Sequence, residues 1–142
     1  MTEEQETATQ QLTVPCIVRE KRSPITSDGG MIHQLRIYEI FDQNKQAFHD
    51  RFRDHAWRIM RSYGFNILGT WETRLGDRRE FVYLLAWPDE KTMRHGWEQF
   101  KANEEWKEIK KTTNARHGDL VGEVQDRTLT PTNYSPAIHA AR

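Results

Sequence analysis

Arg36 and Tyr38 stand two residues apart in a segment, 32–41, whose partial alternation of apolar and polar side chains reads as a β-strand. In a strand such neighbours point to one face, so a guanidinium and a phenol converge on the same space. That pair suits an oxygen-bearing ligand, the guanidinium gripping a carboxylate bidentately and the phenol donating a further bond. The competing reading is a structural ion pair between Arg36 and an inward acid such as Glu72 or Glu123. His55 lies on the apolar stripe of the next element, between Phe52 and Ile59, with Asp54 beside it. It is the candidate proton carrier, a role that needs a pKa near neutrality and a route to substrate. The same position also suits a hydrogen-bonded core histidine. Gln34, Trp71, Tyr83 and Trp87 complete the set as candidate substrate-binding residues, the rings serving to stack an aromatic body.

These residues are useful only if the surrounding elements aim them together. After the first strand, Phe48, Phe52, Ala56, Ile59 and Tyr63 repeat at the helical period. Asp42 is the expected N-cap of that helix and Gly64 the residue that ends it. Residues 65–74 and 80–87 read as strands joined by Leu75-Gly76-Asp77-Arg78, an antiparallel hairpin. Asp89, after Pro88, is the N-cap of a helix carrying Met93, Trp97 and Phe100. Residues 104–113 add a further turn or two with Trp106 and Ile109, and 120–129 supply the last strand. Trp97, Phe100 and Trp106 read as core or subunit packing rather than a cofactor box. Asp50, Arg51, Arg53, Asp54, Arg58 and Arg61 read as a solvated, mixed-sign face, with Asp54 and Arg58 an i,i+4 pair.

The order is β-α-β-β-α-β, the ferredoxin-like α+β arrangement, in which helices cover one side of a four-stranded antiparallel sheet. The compact aliphatic set Leu35, Ile37, Val82, Leu84 and Ala86 suits the helix side. Gln34, Arg36, Tyr38, Phe81, Tyr83, Trp87 and Trp71 would then line the bare side. Pairing two such sheets in a homodimer would bury them around an aromatic lumen for a small-molecule ligand. Simple adhesion of two subunits is the competing reading of the same rings.

Composition narrows the field. The 142 residues hold 21 basic and 21 acidic side chains, and the net charge of zero argues against nucleic acid or a membrane surface as partner. No apolar run approaches the roughly 20 residues of a membrane span, no targeting segment starts the chain, and the expected location is the cytoplasm. The single cysteine, Cys16, excludes an intrachain disulfide and a Cys-based zinc site. His33, His49, His95, His117 and His139 lack metal-ligand spacing, and none is singled out as a haem ligand. The glycines form no phosphate-cradling loop, and Ser62, Ser135 and Cys16 lack a nucleophile's context. No cofactor is expected. Residues 1–30 carry five acids (Glu3, Glu4, Glu6, Glu20, Asp28) against three bases and no aromatic, and read as a partly disordered arm. Within it, 12–18 could form an edge strand or dock on a larger protein partner. Residues 137–142 read as a tail.

The segments MIHQLRIYEI, FRDHAWRIMRSYGFNILGTWETRLGD, FVYLLAW and DRTLTPTNYSP give the stretch 31–136 a resemblance to the NIPSNAP family. The specific pieces are L-R-x-Y at Leu35 to Tyr38, the helical His55, G-x-W at Gly69 to Trp71, and R-x-L-x-P at Arg127 to Pro131. The resemblance implies a dimeric α+β barrel but no single shared reaction. The combined expectation is a homodimeric barrel that binds a small aromatic or hydrophobic metabolite. It would catalyse a cofactor-independent isomerisation, rearrangement or oxygenation in a specialised metabolic pathway, with Arg36, Tyr38 and His55 as its catalytic group. The alternative is a non-catalytic binding or accessory subunit.

Overall fold

The computed structural model describes residues 31–138. The proposed arm, its possible strand at 12–18, Cys16 and the end of the tail lie outside them. Strand β1 (Ile32–Ile40) leads into helix α1, residues 45–62, and then into the hairpin β2 (Asn66–Leu75) and β3 (Arg78–Trp87). Helices α2 (Glu90–Ala102) and α3 (Glu104–His117) follow, and β4 (Val124–Leu129) closes the unit. The sheet order is β2-β3-β1-β4 with every pair antiparallel, and the fold is ferredoxin-like α+β. Among the described residues no helix is long and apolar enough to cross a membrane.

Local chemistry accounts for most of the boundaries. Gly76, at φ +62°, takes the first place of a two-residue turn that few side chains would tolerate. Gly64, at φ +90°, ends α1 as expected. The Asp89 carboxylate accepts from the Thr92 amide at 2.7 Å and starts α2. Asn103 breaks the helical run in extended geometry and caps α3 through the Trp106 amide, 2.7 Å away. The expected cap of α1 is not made. Asp42 instead binds Arg79 at 2.7 Å and Arg74 at 3.6 Å, because the hairpin end brings two guanidinium groups to it. The last strand is also shorter than expected, since Leu120 turns into the core before β4 begins.

Helix α1 is not uniform. Between α-helical Lys45–Arg51 and Trp57–Ser62, residues Phe52–Ala56 form one wider π turn. Four-residue spacing drifts around an α-helix, but the wide turn absorbs the drift and keeps Phe48, Phe52, Ala56 and Met60 on the core side, all buried. The same turn separates Asp54 from Arg58. Their expected pair is absent: Asp54 bonds Arg53 at 2.8 Å, and Arg58 reaches across to Glu105.

The two faces of the sheet are the reverse of the expected assignment. Gln34, Phe81, Tyr83, Leu85 and Trp87 face the helices and are buried, with Tyr83, Leu85 and Trp87 at 0% exposure. Leu35, Ile37, Val82 and Leu84 lie on the outer face and are half-buried. Burying a large ring contributes about 1.5–3 kcal/mol, so the aromatics gain most under the helices, where Phe48 and Phe52 pack against Phe81 and Tyr83. Their polar tips are satisfied there, Tyr83 by the Tyr38 hydroxyl and the Trp87 N–H by the Gln34 carbonyl. Trp71 parts from the rest because β2 carries a bulge at Leu68, between the pairs Ile67–Leu85 and Gly69–Leu84. One extra residue inverts the alternation beyond it, so Ile67 faces inward and Trp71, opposite Val82, faces outward at 53% exposure.

The helix–sheet packing leaves little slack at Gly96 of α2. A Cβ there would meet Trp87 ring carbons at 2.9 and 3.1 Å, and the ring is fully enclosed. Gly96→Ala gains about 1 kcal/mol of helix propensity yet is expected to destabilise, because overpacking costs about 1–3 kcal/mol. Denaturant titration checks the sign; a stabilised variant would show that α2 can move off the sheet.

Candidate ligand-binding cleft

Between the helix-facing side of the sheet and the three helices runs a cleft of about 320 Å³. Arg36 and Tyr38 rise from β1 into it; Phe52 of α1, Trp97 of α2 and Trp106 of α3 supply its rings. The Arg36 guanidinium lies over the Trp97 ring, 4.2 Å from its centroid, and donates to the Tyr38 hydroxyl at 3.1 Å. Tyr38 and Tyr83 share a hydrogen bond of 2.6 Å. Tyr83 is fully enclosed, and burial with the adjacent Tyr38 pushes its pKa well above the ordinary tyrosine value, so it stays a neutral phenol. Arg36 is 15% exposed and its Nε is buried without a partner. Burial works against its charge, but the two phenolic oxygens outweigh it and the pKa stays above the usual arginine range.

Arg36 has a structural counterion, and it is neither acid named from the sequence. Asp126 lies opposite Arg36 in the β1–β4 register and bonds it at 3.2 Å. Glu72 is held by His49 and Lys45, and Glu123 by Arg78. Beside this pair, Gln34 is a junction: its amide donates to Asp126 at 2.9 Å, and its carbonyl accepts the Trp87 and Trp97 indole N–H groups at 3.0 and 2.8 Å.

The sequence candidates therefore divide. Gln34, Arg36, Tyr38, Tyr83 and Trp87 come together, with Arg36 and Tyr38 touching the cleft and the other three supporting it from beneath. Trp71 is on the opposite face of the sheet. His55 is half-buried in a second groove of about 440 Å³ between α1 and α3, near Asp50, Asp54 and His117, which borders the cleft at Arg51. Its Nδ1 is 3.4 Å from Arg58 Nη2. Among the described residues no group of three or more His, Cys, Asp or Glu is disposed to hold a metal ion.

The described stretch that carries this cleft is also the stretch that a family model matches: NIPSNAP, over residues 33–136. The chain belongs to the NIPSNAP family. Solved structures agree. A NIPSNAP-like domain protein from Burkholderia xenovorans superposes with a TM-score of 0.66 at 22% identity, covering 79% of this chain and 94% of that one. A NIPSNAP family protein from Agrobacterium tumefaciens gives 0.64 at 20% identity, with 75% and 97% covered. At such identities the likeness establishes the NIPSNAP fold alone. No curated protein matches the sequence.

Sequence reasoning passed over Arg51, Lys101 and Lys110, which line the same cleft. Arg51, read as a solvated charge, is 7% exposed. A signal was present: Trp97 and Trp106 are each followed four residues later by a lysine, one helical turn along the same face.

Proposed function

We propose that this NIPSNAP domain forms a homodimer through the outer face of its sheet, and that each protomer binds a small, mainly aromatic molecule in its own helix–sheet cleft. The observation that carries the binding reading is the Arg36–Tyr38–Trp97 group: a stacked guanidinium and a phenol set among rings at the wall of a half-open cleft. Ligand sites commonly combine mostly apolar walls with a few convergent polar groups. The chemistry these groups suit is stabilisation of negative charge on a ligand oxygen, as arises in enolisation, isomerisation or cofactor-independent oxygenation. Tyr38 supplies the hydroxyl, and Arg36, already paired with Asp126, holds and polarises it; the pair sits on a strand, which keeps it in place.

The dimer reading rests on the outer face, where Leu35, Ile37, Val82 and Leu84 are joined by Trp71 and by Leu129, 41% exposed. A contiguous apolar sheet face of this kind calls for a cover, and a second copy offers one matched to it by symmetry.

Val124 tests the cleft. It lines the rim yet is 46% exposed, so a larger side chain there fills the hollow without disturbing the core. Val124→Trp is expected to abolish quenching of tryptophan fluorescence by aromatic probes. The melting temperature should stay within about 3 °C of the parent's. Unchanged probe binding in Val124→Trp would place the binding site elsewhere.

A further inference from the structure

Arg36 is neutralised by Asp126, whereas Arg51, Lys101 and Lys110 line the same cleft with no ion pair among the described residues. Arg51 is the informative member. It is more than nine-tenths buried, and its Nη1 bonds only neutral partners, Thr113 Oγ1 at 2.9 Å and Asn114 Oδ1 at 3.2 Å. A cation enclosed to this degree without a counterion is costly, and one that faces a hollow invites an anion from outside. Lys110 stands beside it: the Arg51 guanidinium carbon lies 5.4 Å from the Trp106 ring centroid and the Lys110 ammonium 5.9 Å. Two cations thus share one indole. Burial first, then the charges of Arg51, Lys101 and Lys107, lower the Lys110 pKa, and an anion seated between them would relieve that repulsion. Asp119, the acid in the lining, is exposed and makes no ion pair with any of the three.

We infer that the cleft selects an acid: a small aromatic or apolar molecule whose single carboxylate sits between Arg51 and Lys110 and whose body lies over Trp106 toward Arg36 and Trp97. Arg51 presents the planar donors that match a carboxylate, and Lys110 adds an adaptable point charge at the entrance. The volume, about 320 Å³, is near the lower limit of ordinary ligand pockets and suits a body of one or two rings. The inference rests on the cleft being the binding site and adds the chemical class of what enters it.

The test titrates the full chain with 2-naphthoate and with its neutral counterpart 2-naphthalenemethanol, following tryptophan fluorescence and confirming by calorimetry. The acid should bind at least about tenfold more tightly than the alcohol, as a charge-assisted bond implies. Lys110→Gln, at an exposed position that folding does not depend on, should remove most of that preference, and Lys110→Arg should restore it. Equal binding of acid and alcohol, or a preference indifferent to Lys110→Gln, would overturn the acid inference while leaving the cleft reading intact. If neither probe binds, or Val124→Trp fails to abolish binding, the cleft reading falls and this inference with it.

Discussion

Gln34→Leu should destabilise the domain by about 2–4 kcal/mol, although leucine is of similar volume and the site is 1% exposed. The loss comes from what the glutamine carbonyl leaves behind. Two indole N–H groups point at it, those of Trp87 and Trp97, and Trp87 is fully enclosed with no route to water. An orphaned buried donor costs about 1–3 kcal/mol, more than the bond itself contributes in net terms. Asp126 loses the amide but keeps Arg36, so the ion pair survives. A melting temperature lower by roughly 10–20 °C is the expected reading. A double-mutant cycle sharpens it: in the Gln34→Leu background, Trp97→Phe should cost less than in the parent, because its orphaned donor is gone. Near-neutral behaviour of Gln34→Leu would show that water reaches the junction.

Leu84→Lys should turn a dimer of about twice the 16.9 kDa chain mass into a folded monomer at micromolar concentration. Leu84 is flanked in register by Leu35 on β1 and Gly69 on β2, at the middle of the outer face. In a symmetric interface each substitution counts twice, and two unpaired ammonium groups buried there would cost about 3–5 kcal/mol each. The backbone ladders and helix-side core are untouched, so circular dichroism should be preserved. Light scattering with sedimentation decides the matter. A monomeric parent would end the sheet-to-sheet pairing, and a Leu84→Lys variant that stays dimeric would move the interface to another surface.

Periodicity and turn chemistry made the element order legible. Asp89, Gly64 and the Gly76-Asp77 turn do in the structure what their residue types suggest. The direction of the sheet was not legible, because β1 and β3 carry apolar residues on both faces and alternation alone cannot say which set meets the helices. The tie is broken by tertiary fit: Phe48 and Phe52 on α1, and the contact of Gly96 with Trp87, accept rings rather than aliphatic groups. Trp71 does lie on the side away from the helices, but apart from the other rings, because one residue's worth of bulge at Leu68, which no periodic pattern announces, inverts the alternation of β2. Arg51 looked like a surface charge by its residue type, although it lies one ordinary helical turn from Phe48 on the buried side of α1, where it meets Trp106 of α3. For the candidate site, the strand pair Arg36–Tyr38 could be read directly. The cations from α1 and α3 could not, since only the fold brings residues 51 and 110 to one indole.

The alternation of β1 has a thermodynamic corollary. Arg36, turned to the cleft, is bonded within the chain to Leu35 and Ile37, turned to the outer face, so one peptide segment is shared by two surfaces. In a dimer paired through that face, a ligand that moved Arg36 would also move the surface offered to the second copy. Whatever factor separates ligand affinity in monomer and dimer must reappear, unchanged, in the association constant of the subunits. Binding isotherms would then depend on protein concentration, and a ligand's presence could be read remotely from the mass of the assembly.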